Sequence, residues 1–187
     1  MTAELSFSKE INNLMYASHG KPIKDCLQCG VCSGTCPAVE FMDHSPRELI
    51  GMIGADLKDD VLASNTFWSC ASCFHCTVRC PAGIDIADMM YALKRYSIWK
   101  GQYQEGLIGP DFSEGFVKMI VNSGRSFEPI LAVTYLPKFS ARDLIQEAIT
   151  ATGLVLKGQI PLLPKKIKRL KNFQQMVRRI IPIGGTS

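Results

Sequence analysis

The apolar residues of this chain recur mostly at the three- and four-residue spacing of helices, whereas the alternating pattern of strands is scarce. Helices are predicted around Ile11, Leu14 and Met15, over Pro46–Gly54, through Val61 and Leu62 towards Trp68, along Ile86, Met89, Met90 and Leu93 to about Gly101, and over Phe112–Asn122, Ser140–Thr152 and Pro164–Ile181. The chain is therefore predicted to be mostly α-helical.

Local signals mark where some of these helices begin and end. Ser45 can cap the second helix, and Glu48 completes a capping box with it. Ser140 with Asp143 resembles another capping box, in a helix that Gly153 is placed to close. Breaker-rich connections are predicted at Gly109–Pro110, Gly124–Pro129 and Pro161–Pro164.

All eight cysteines fall into two copies of one pattern. The copies are Cys26, Cys29, Cys32 and Cys36 followed by Pro37, and Cys70, Cys73, Cys76 and Cys80 followed by Pro81. This C-x2-C-x2-C-x3-C-P spacing is typical of [4Fe–4S] cluster ligands, and in two-cluster proteins the fourth ligand comes from the other motif. We therefore expect Cys80 to complete the first cluster and Cys36 the second. Two neighbouring clusters would form a path for electrons.

Other uses of cysteine fit this pattern less well. Structural zinc is usually held by two separated C-x2-C pairs rather than by a compact quartet. Disulfides suit a secreted chain, but Met1–Gly20 lacks the apolar core of a signal peptide. Because thiols destined for clusters need a reducing compartment, we expect a cytoplasmic location. His75 is not expected to be a ligand, and His19 and His44 are expected to be solvated loop residues.

Residues near the cysteines suggest how the clusters are surrounded. Apolar spacer residues are expected to shield the clusters from water: Leu27, Val31, Ala71, Phe74 and Val78. Gly30 and Gly34 permit unusual backbone angles, which would either aim amides at sulfur or simply form turns. Trp68, Met89 and Met90 are expected to be core residues beside the clusters.

Length, composition and charge indicate a domain followed by an extension with a basic tail. Its 187 residues, 47% of them hydrophobic, allow one domain with an extension, which we place at residues 1–100 and 101–187. No apolar stretch approaches the ~20 residues of a membrane span.

The net charge is +4, but eight basic residues follow Glu147, the last acidic one, and this leaves −4 before them. The basic tail, with its interleaved apolar residues, is predicted to form an amphipathic helix that either docks on an acidic partner or lies on its own domain.

The segments from Cys26 to Pro37, Ser45 to Arg47 and Trp68 to Pro81 resemble the C subunit of heterodisulfide reductase, over about residues 20 to 100. The resemblance implies an α-helical ferredoxin domain with two [4Fe–4S] clusters, in a cytoplasmic hetero-oligomer. It also implies electron transfer between an A-type flavin and iron–sulfur subunit and a B-type cysteine-rich subunit that acts on a disulfide or thiol. Residues 101–187 look closer to heterodisulfide reductase-like proteins of sulfur metabolism, and the methanogenic CoM–CoB enzyme is the alternative.

Other functional classes agree less well with these features. A succinate dehydrogenase or fumarate reductase iron–sulfur subunit would carry a C-x4-C-x2-C motif, which this sequence lacks. A self-sufficient enzyme would need a glycine-rich nucleotide loop or a spare cysteine, and neither is present, so no catalytic residue is assigned. The basic tail alone does not indicate a nucleic-acid-binding module. An independent dicluster ferredoxin remains open.

Overall fold

The computed structural model describes residues 6–15, 21–127, 129, 145, 148, 151–154, 156–158 and 165–180. All regular secondary structure in these residues is helical. No strand occurs in these residues, so the predicted mostly α-helical class is confirmed. The helices with defined bounds are α1 (Phe7–Leu14), α2 (Val31–Gly34), α3 (Pro46–Gly54), α4 (Lys58–Ala63), α5 (His75–Val78), α6 (Ile86–Lys100), α7 (Ile108–Ser123) and α8 (Leu170–Ile180), with 3-10 turns at Ile23–Asp25 and Val39–Phe41. Residues 129, 145, 148, 151–154 and 156 are also helical.

Helix α6 provides much of the core. Met89 and Leu93, one helical turn apart, are fully buried. The helix ends at Lys100, with the left-handed Gly101 as its C-cap, close to the predicted end. Helix α1 lies against it, with the rings of Phe7 and Tyr96 edge to face at 5.6 Å. The Tyr96 hydroxyl also donates a 2.7 Å hydrogen bond to Glu10. Apolar packing and a polar pair thus hold α1 on α6.

Helix α3 begins and ends where its sequence predicts. The Ser45 hydroxyl accepts a hydrogen bond from the Glu48 amide at 3.4 Å, and the Ser45 amide donates to the Glu48 carboxylate at 2.8 Å. The bond from the Ser45 amide, with a further contribution from the Ser45 hydroxyl, lowers the pKa of Glu48, because hydrogen bonds to the carboxylate favour its charged form. Pro46 takes the first helical position, where no amide hydrogen is needed.

Helix α4 is shorter than predicted, since it ends at Ala63 rather than continuing towards Trp68. The Ser64 hydroxyl donates to the Val61 carbonyl at 2.8 Å and so competes with the helical backbone. Thr66, beyond the helix end, exchanges hydrogen bonds of 3.0 and 2.9 Å with the backbone of His44. The chain after α4 is thereby tied to the segment that precedes α3.

Helix α7 begins earlier than predicted, because Gly109 and Pro110 belong to it instead of forming a break. Both residues lie in the first turn, where amide hydrogens have no partner inside the helix. Proline therefore costs no hydrogen bond at this position. The end of the helix, at Ser123, lies close to the predicted Asn122.

The chain divides into two compact units after Pro110. The predicted boundary after residue 100 lies ten residues earlier and stays a prediction. In the second unit, the Ile167 amide donates to Ser123 at 3.1 Å and the Gln174 side chain donates to Val121 at 3.0 Å. The segment from Ile167 through α8 therefore packs against the C-terminal end of α7.

Two predictions for the second unit are wrong. Residues 151–154 are helical, so Gly153 does not close its helix, and its carbonyl instead accepts a hydrogen bond from Lys157 at 3.2 Å. Gly158 has the left-handed φ of +67° that ends helices. Residues 165–167 are not helical, so α8 starts later than predicted. Ser140, Asp143 and Pro161–Pro164 lie outside the described residues.

Candidate metal centres

Two cavities in the first unit are lined by the cysteines. The first is lined by Cys26, Cys29, Cys32 and Cys80, and the second by Cys36, Cys70, Cys73 and Cys76. Each cavity thus combines three cysteines of one motif with the last cysteine of the other. The assignment of these two groups as the ligands of two clusters stays a prediction. None of the eight thiols is in a disulfide.

The two motifs share an unusual backbone. In the first, Gln28 and Gly30 have positive φ angles of 53° and 81°. In the second, Ser72 and Phe74 occupy the same positions with φ of 55° and 61°. Two left-handed residues therefore flank the second cysteine of each motif, and a short helix starts directly afterwards. This arrangement bends the chain around each cavity.

Sequence reasoning found only part of this backbone pattern. Gly30 adopts the unusual conformation expected of it, but Gly34 is the last residue of α2 and has no positive φ. The residue type of Phe74 gives no signal for its conformation, because bulky residues rarely adopt left-handed conformations. Comparison of the two motifs position by position, with Gly30 aligned to Phe74, was the signal that could have revealed it.

Each motif is hydrogen-bonded to a later helix. The Arg47 amide of α3 donates to the Ser33 hydroxyl at 3.0 Å. The Ala87 amide of α6 donates to the Thr77 hydroxyl, also at 3.0 Å. Asp85 caps α6 by accepting from the Asp88 amide at 3.1 Å. The two best-buried helices of the unit therefore position the cysteine motifs.

One cysteine sulfur receives hydrogen bonds from within its own motif. The Gln28 amide donates to Cys26 Sγ at 3.4 Å, and the Gln28 side-chain nitrogen lies 3.7 Å from the same atom. That side chain also donates to the Arg47 carbonyl at 3.4 Å. Hydrogen bonds to ligand sulfur are one means by which a protein adjusts the potential of a cluster.

The electrostatics of the cavities suit a positively charged metal core. Burial raises the pKa of Cys32, and the charges of Cys26 and Cys29 raise it further. Burial raises the pKa of Cys76 to about 11, with a further contribution from Cys70. Grouped thiolates are therefore costly without a cation, and metal coordination supplies that cation. The four thiols in each cavity fit this requirement.

The two cysteine-lined cavities differ from a site that binds a single metal ion. In the part of the chain that the structure describes, no three His, Cys, Asp or Glu side chains form a group that could hold a single metal ion. In a cubane cluster each thiolate binds a different iron atom, so the four sulfurs do not have to meet at one point. The eight cysteines fit two [4Fe–4S] clusters.

The expected shielding residues divide between the cavities, with one exception. Leu27 and Val31 line the first cavity, and Ala71 and Phe74 line the second. Val78 lines neither and is 76% exposed, so its predicted role as a shield is wrong. It is the last residue of α5, and its side chain lies on the outer face of that helix.

The methionines, Trp68 and the histidines considered in the sequence do not all line the cavities. Met90 is buried and lines the second cavity, whereas Met89 is buried in the core and lines neither. Trp68 also lines neither and packs instead against Phe67 and Tyr103, with ring centroids 5.4 and 6.4 Å away. His75 is exposed at the start of α5. His44 is half-buried, and His19 lies outside the described residues.

Comparison with known proteins identifies the region that carries these cavities. A family model described as a 4Fe-4S dicluster domain matches residues 22–84. The C subunit of the H(2):CoB-CoM heterodisulfide,ferredoxin reductase of Methanothermobacter marburgensis is 32% identical over 85 residues, which cover 46% of each chain. The C subunit of the Ferredoxin:CoB-CoM heterodisulfide reductase of Methanosarcina acetivorans is 33% identical over 157 residues, which cover 68% of this chain and 61% of that relative.

A third relative shows the same similarity over a shorter region. The iron-sulfur C subunit of the CoB–CoM heterodisulfide reductase of Methanopyrus kandleri is 33% identical over 79 residues, 42% of this chain and 41% of the relative. The chain thus spans about half the length of the curated relatives it matches. The chain therefore carries a 4Fe-4S dicluster domain, and over part of its length it is similar to the C subunits of heterodisulfide reductases.

Proposed function

We propose that this chain relays single electrons through two [4Fe–4S] clusters, as the electron-transfer subunit of a cytoplasmic heterodisulfide reductase-like complex. The observation that carries the proposal is the pair of cavities, each lined by four cysteines, with one cysteine exchanged between the motifs. Bound clusters would supply one-electron chemistry at potentials set by their surroundings. The exchange makes the two sites neighbours, which favours electron transfer between them.

The proposed ligands follow from the lining of the cavities. Cys26, Cys29, Cys32 and Cys80 would hold the first cluster, and Cys70, Cys73, Cys76 and Cys36 the second. All eight cysteines would then be used as ligands, which leaves no cysteine nucleophile for substrate chemistry. We therefore assign no catalytic residue to this chain.

Both sites would be accessible to a redox partner. Cys29 in the first cavity and Cys73 in the second are exposed, so each site reaches the protein surface at one of its thiols. A relay needs one site for the donor and one for the acceptor. An exposed thiol in each cavity supports this division of roles.

Exposed side chains near the first cavity support docking to another protein. Leu27 lines the cavity and is 68% exposed, and Val78, two residues before Cys80, is 76% exposed. Apolar side chains exposed beside a redox site offer a partner subunit surface that would be buried on docking. The proposed partners are an A-type subunit with flavin and iron–sulfur centres and a B-type, cysteine-rich subunit that acts on a thiol or disulfide.

The metabolic setting has two candidates. Residues 101–187, with their basic ending, favour a heterodisulfide reductase-like complex of sulfur metabolism. The relatives' names specify CoB–CoM heterodisulfide, and the match to the Methanosarcina acetivorans relative spans 68% of this chain. That coverage favours the second candidate, the C subunit of a methanogenic enzyme. No described helix has the length and apolar content that crossing a bilayer requires.

The first test is the metal content of the anaerobically purified chain. We expect about eight iron and eight sulfide per chain, with one-electron reduction by a low-potential viologen. The isolated chain should turn over no disulfide or persulfide until A-type and B-type subunits are added. Stoichiometric zinc without charge-transfer absorption, or turnover by the chain alone at the rate of the complex, would overturn the proposal.

The second test separates a subunit of a complex from an independent ferredoxin. Gel filtration of the native protein from its own cells should show it in a complex with A-type and B-type subunits. Elution at the size of the chain alone, with intact clusters and no associated subunits, would favour an independent dicluster ferredoxin.

A further inference from the structure

The second cavity has a partly buried positive charge beside it. Lys94, on α6, donates a hydrogen bond from Nζ to the Cys70 carbonyl at 3.3 Å. Its side chain is neither fully exposed nor in the core. Cys70 lines the second cavity, so the ammonium group lies next to one of the proposed ligands.

Lys94 does not itself line the second cavity, and in the described residues its charge is not neutralised by an acidic side chain. Among the residues that the structure describes, no carboxylate lies within 4 Å of its ammonium group. The ring of Tyr91, with its centroid 5.9 Å away, is another neighbour.

The first cavity has a cation in a different environment. Arg47 lines that cavity, but its side chain is exposed to solvent. Water and salt screen an exposed charge strongly, whereas a charge at a partly buried position acts through a medium of lower dielectric constant. The electrostatic effect of Lys94 on its cavity should therefore exceed that of Arg47 on the first.

Cluster reduction adds one negative charge to a site that already holds four thiolates. A nearby cation stabilises the reduced form more than the oxidised form and so raises the reduction potential. The potential depends on net charge and hydrogen bonding around the cluster as well as on its ligands. The two cavities, with equivalent cysteines, differ in this respect.

We propose that Lys94 raises the reduction potential of the cluster in the second cavity above that of the first, so that a single electron on the chain resides in the second cavity. This inference rests on the proposed function, since it assumes that both cavities hold clusters. The step is a one-electron exchange: the first cluster is oxidised as the second is reduced, with no proton or bond transferred. It assigns the low-potential side of the relay to the first cavity.

The test compares three variants of the full chain by redox titration followed by electron paramagnetic resonance. Lys94→Gln removes the charge, Lys94→Arg keeps it, and Lys100→Gln removes a charge from the exposed end of the same helix. A Cys73→Ser variant, altered in the second cavity alone, assigns the two signals. We expect Lys94→Gln to lower the reduction potential of the second cluster by about 59 mV, which corresponds to a tenfold change in the equilibrium constant of a one-electron reduction.

The controls separate this inference from the proposed function. The potential of the first cluster in Lys94→Gln, and both potentials in Lys100→Gln and Lys94→Arg, should stay near those of the unmodified chain. Equal shifts in Lys94→Gln and Lys100→Gln, or no shift in Lys94→Gln with full iron content, would overturn the role of Lys94. If the Lys94→Gln variant loses its clusters, Lys94→Arg provides the test. A lower reduction potential of the second cluster in Lys94→Arg would then overturn the role of Lys94. Absence of clusters from the unmodified chain would overturn the proposed function itself.

Discussion

Ser33 and Thr77 are structurally equivalent, because each follows the third cysteine of its motif and accepts a 3.0 Å hydrogen bond from the second amide of the next long helix. The cap of each helix, Ser45 or Asp85, accepts from the third amide. Amides in the first turn of a helix need acceptors from outside it. The duplication seen in the cysteines therefore extends to the way each motif is attached to its helix.

Removal of the Thr77 hydroxyl should loosen this attachment. In Thr77→Val the shape of the side chain is nearly kept, but the Ala87 amide and the Asp85 carboxylate each lose a partner. We expect a loss of about 1 kcal/mol in the free energy of unfolding. The measurement is the guanidinium midpoint of the anaerobic, cluster-loaded protein. Thr77→Ser, which keeps the hydroxyl, is the control, and equal midpoints for the serine and valine variants would contradict the prediction.

The two glycines of the first motif should respond in opposite directions to alanine. Gly30 has a φ of +81°, so Gly30→Ala should destabilise the protein by about 1 kcal/mol or more through backbone strain. Gly34 is helical, and an added Cβ meets nothing within 4 Å, so Gly34→Ala should stabilise by up to about 1 kcal/mol. Thermal unfolding of the loaded protein measures both. A stabilised Gly30→Ala variant would show that the left-handed conformation is not required.

Exchange of cysteines between the motifs predicts which cluster a substitution damages. Cys36 lines the second cavity although it belongs to the first motif. We therefore expect Cys36→Ser to alter the spectroscopic signal of the cluster held by Cys70, Cys73 and Cys76, with little change in the other. Cys80→Ser is the matched variant, with the opposite expectation. Mössbauer and electron paramagnetic resonance spectra that place the damage of Cys36→Ser in the first cavity would show that each motif binds its own cluster.

The basic segment of the second unit should contribute to partner binding through its charge. Lys168 and Lys171 are exposed, and the sequence from residue 148 onwards contains no acidic residue. Reversal of both charges to glutamate should weaken association with co-expressed A-type and B-type subunits at low salt, and the difference should shrink as salt rises. Reversal of Lys9 and Lys118 gives the same change in net charge elsewhere and serves as the control. Equal binding by the two double variants would favour a helix whose charges are merely solvated.

Features encoded by neighbouring residues could be predicted from the sequence. The capping box of Ser45 and Glu48 lies within four residues, and its outcome depends on little else. The cysteine spacing is equally local, because the geometry of a cluster dictates it. Both therefore appear in the sequence as recognisable patterns, and the helix of Ile86–Lys100 adds a clear apolar face.

Features that depend on distant contacts could not be predicted in this way. Phe74 holds a left-handed conformation that its own side chain disfavours, so the folded structure around it must impose it. The hydrogen bond from Lys94 to Cys70 joins residues 24 positions apart, and no pattern links them. The prediction of a break at Pro110 was wrong because the effect of a proline depends on where a helix starts, which the surrounding apolar pattern did not define.

The exchange of Cys36 and Cys80 between the cavities also constrains the order of biosynthesis. A chain made from its N-terminus presents Cys26, Cys29 and Cys32 well before Cys80 has left the ribosome. The first cavity therefore stays one thiol short until the second motif has been made and has folded against α2. Since Cys36 in turn lines the cavity of the second motif, we expect that neither half of the domain matures alone and that cluster insertion waits until both motifs have been made.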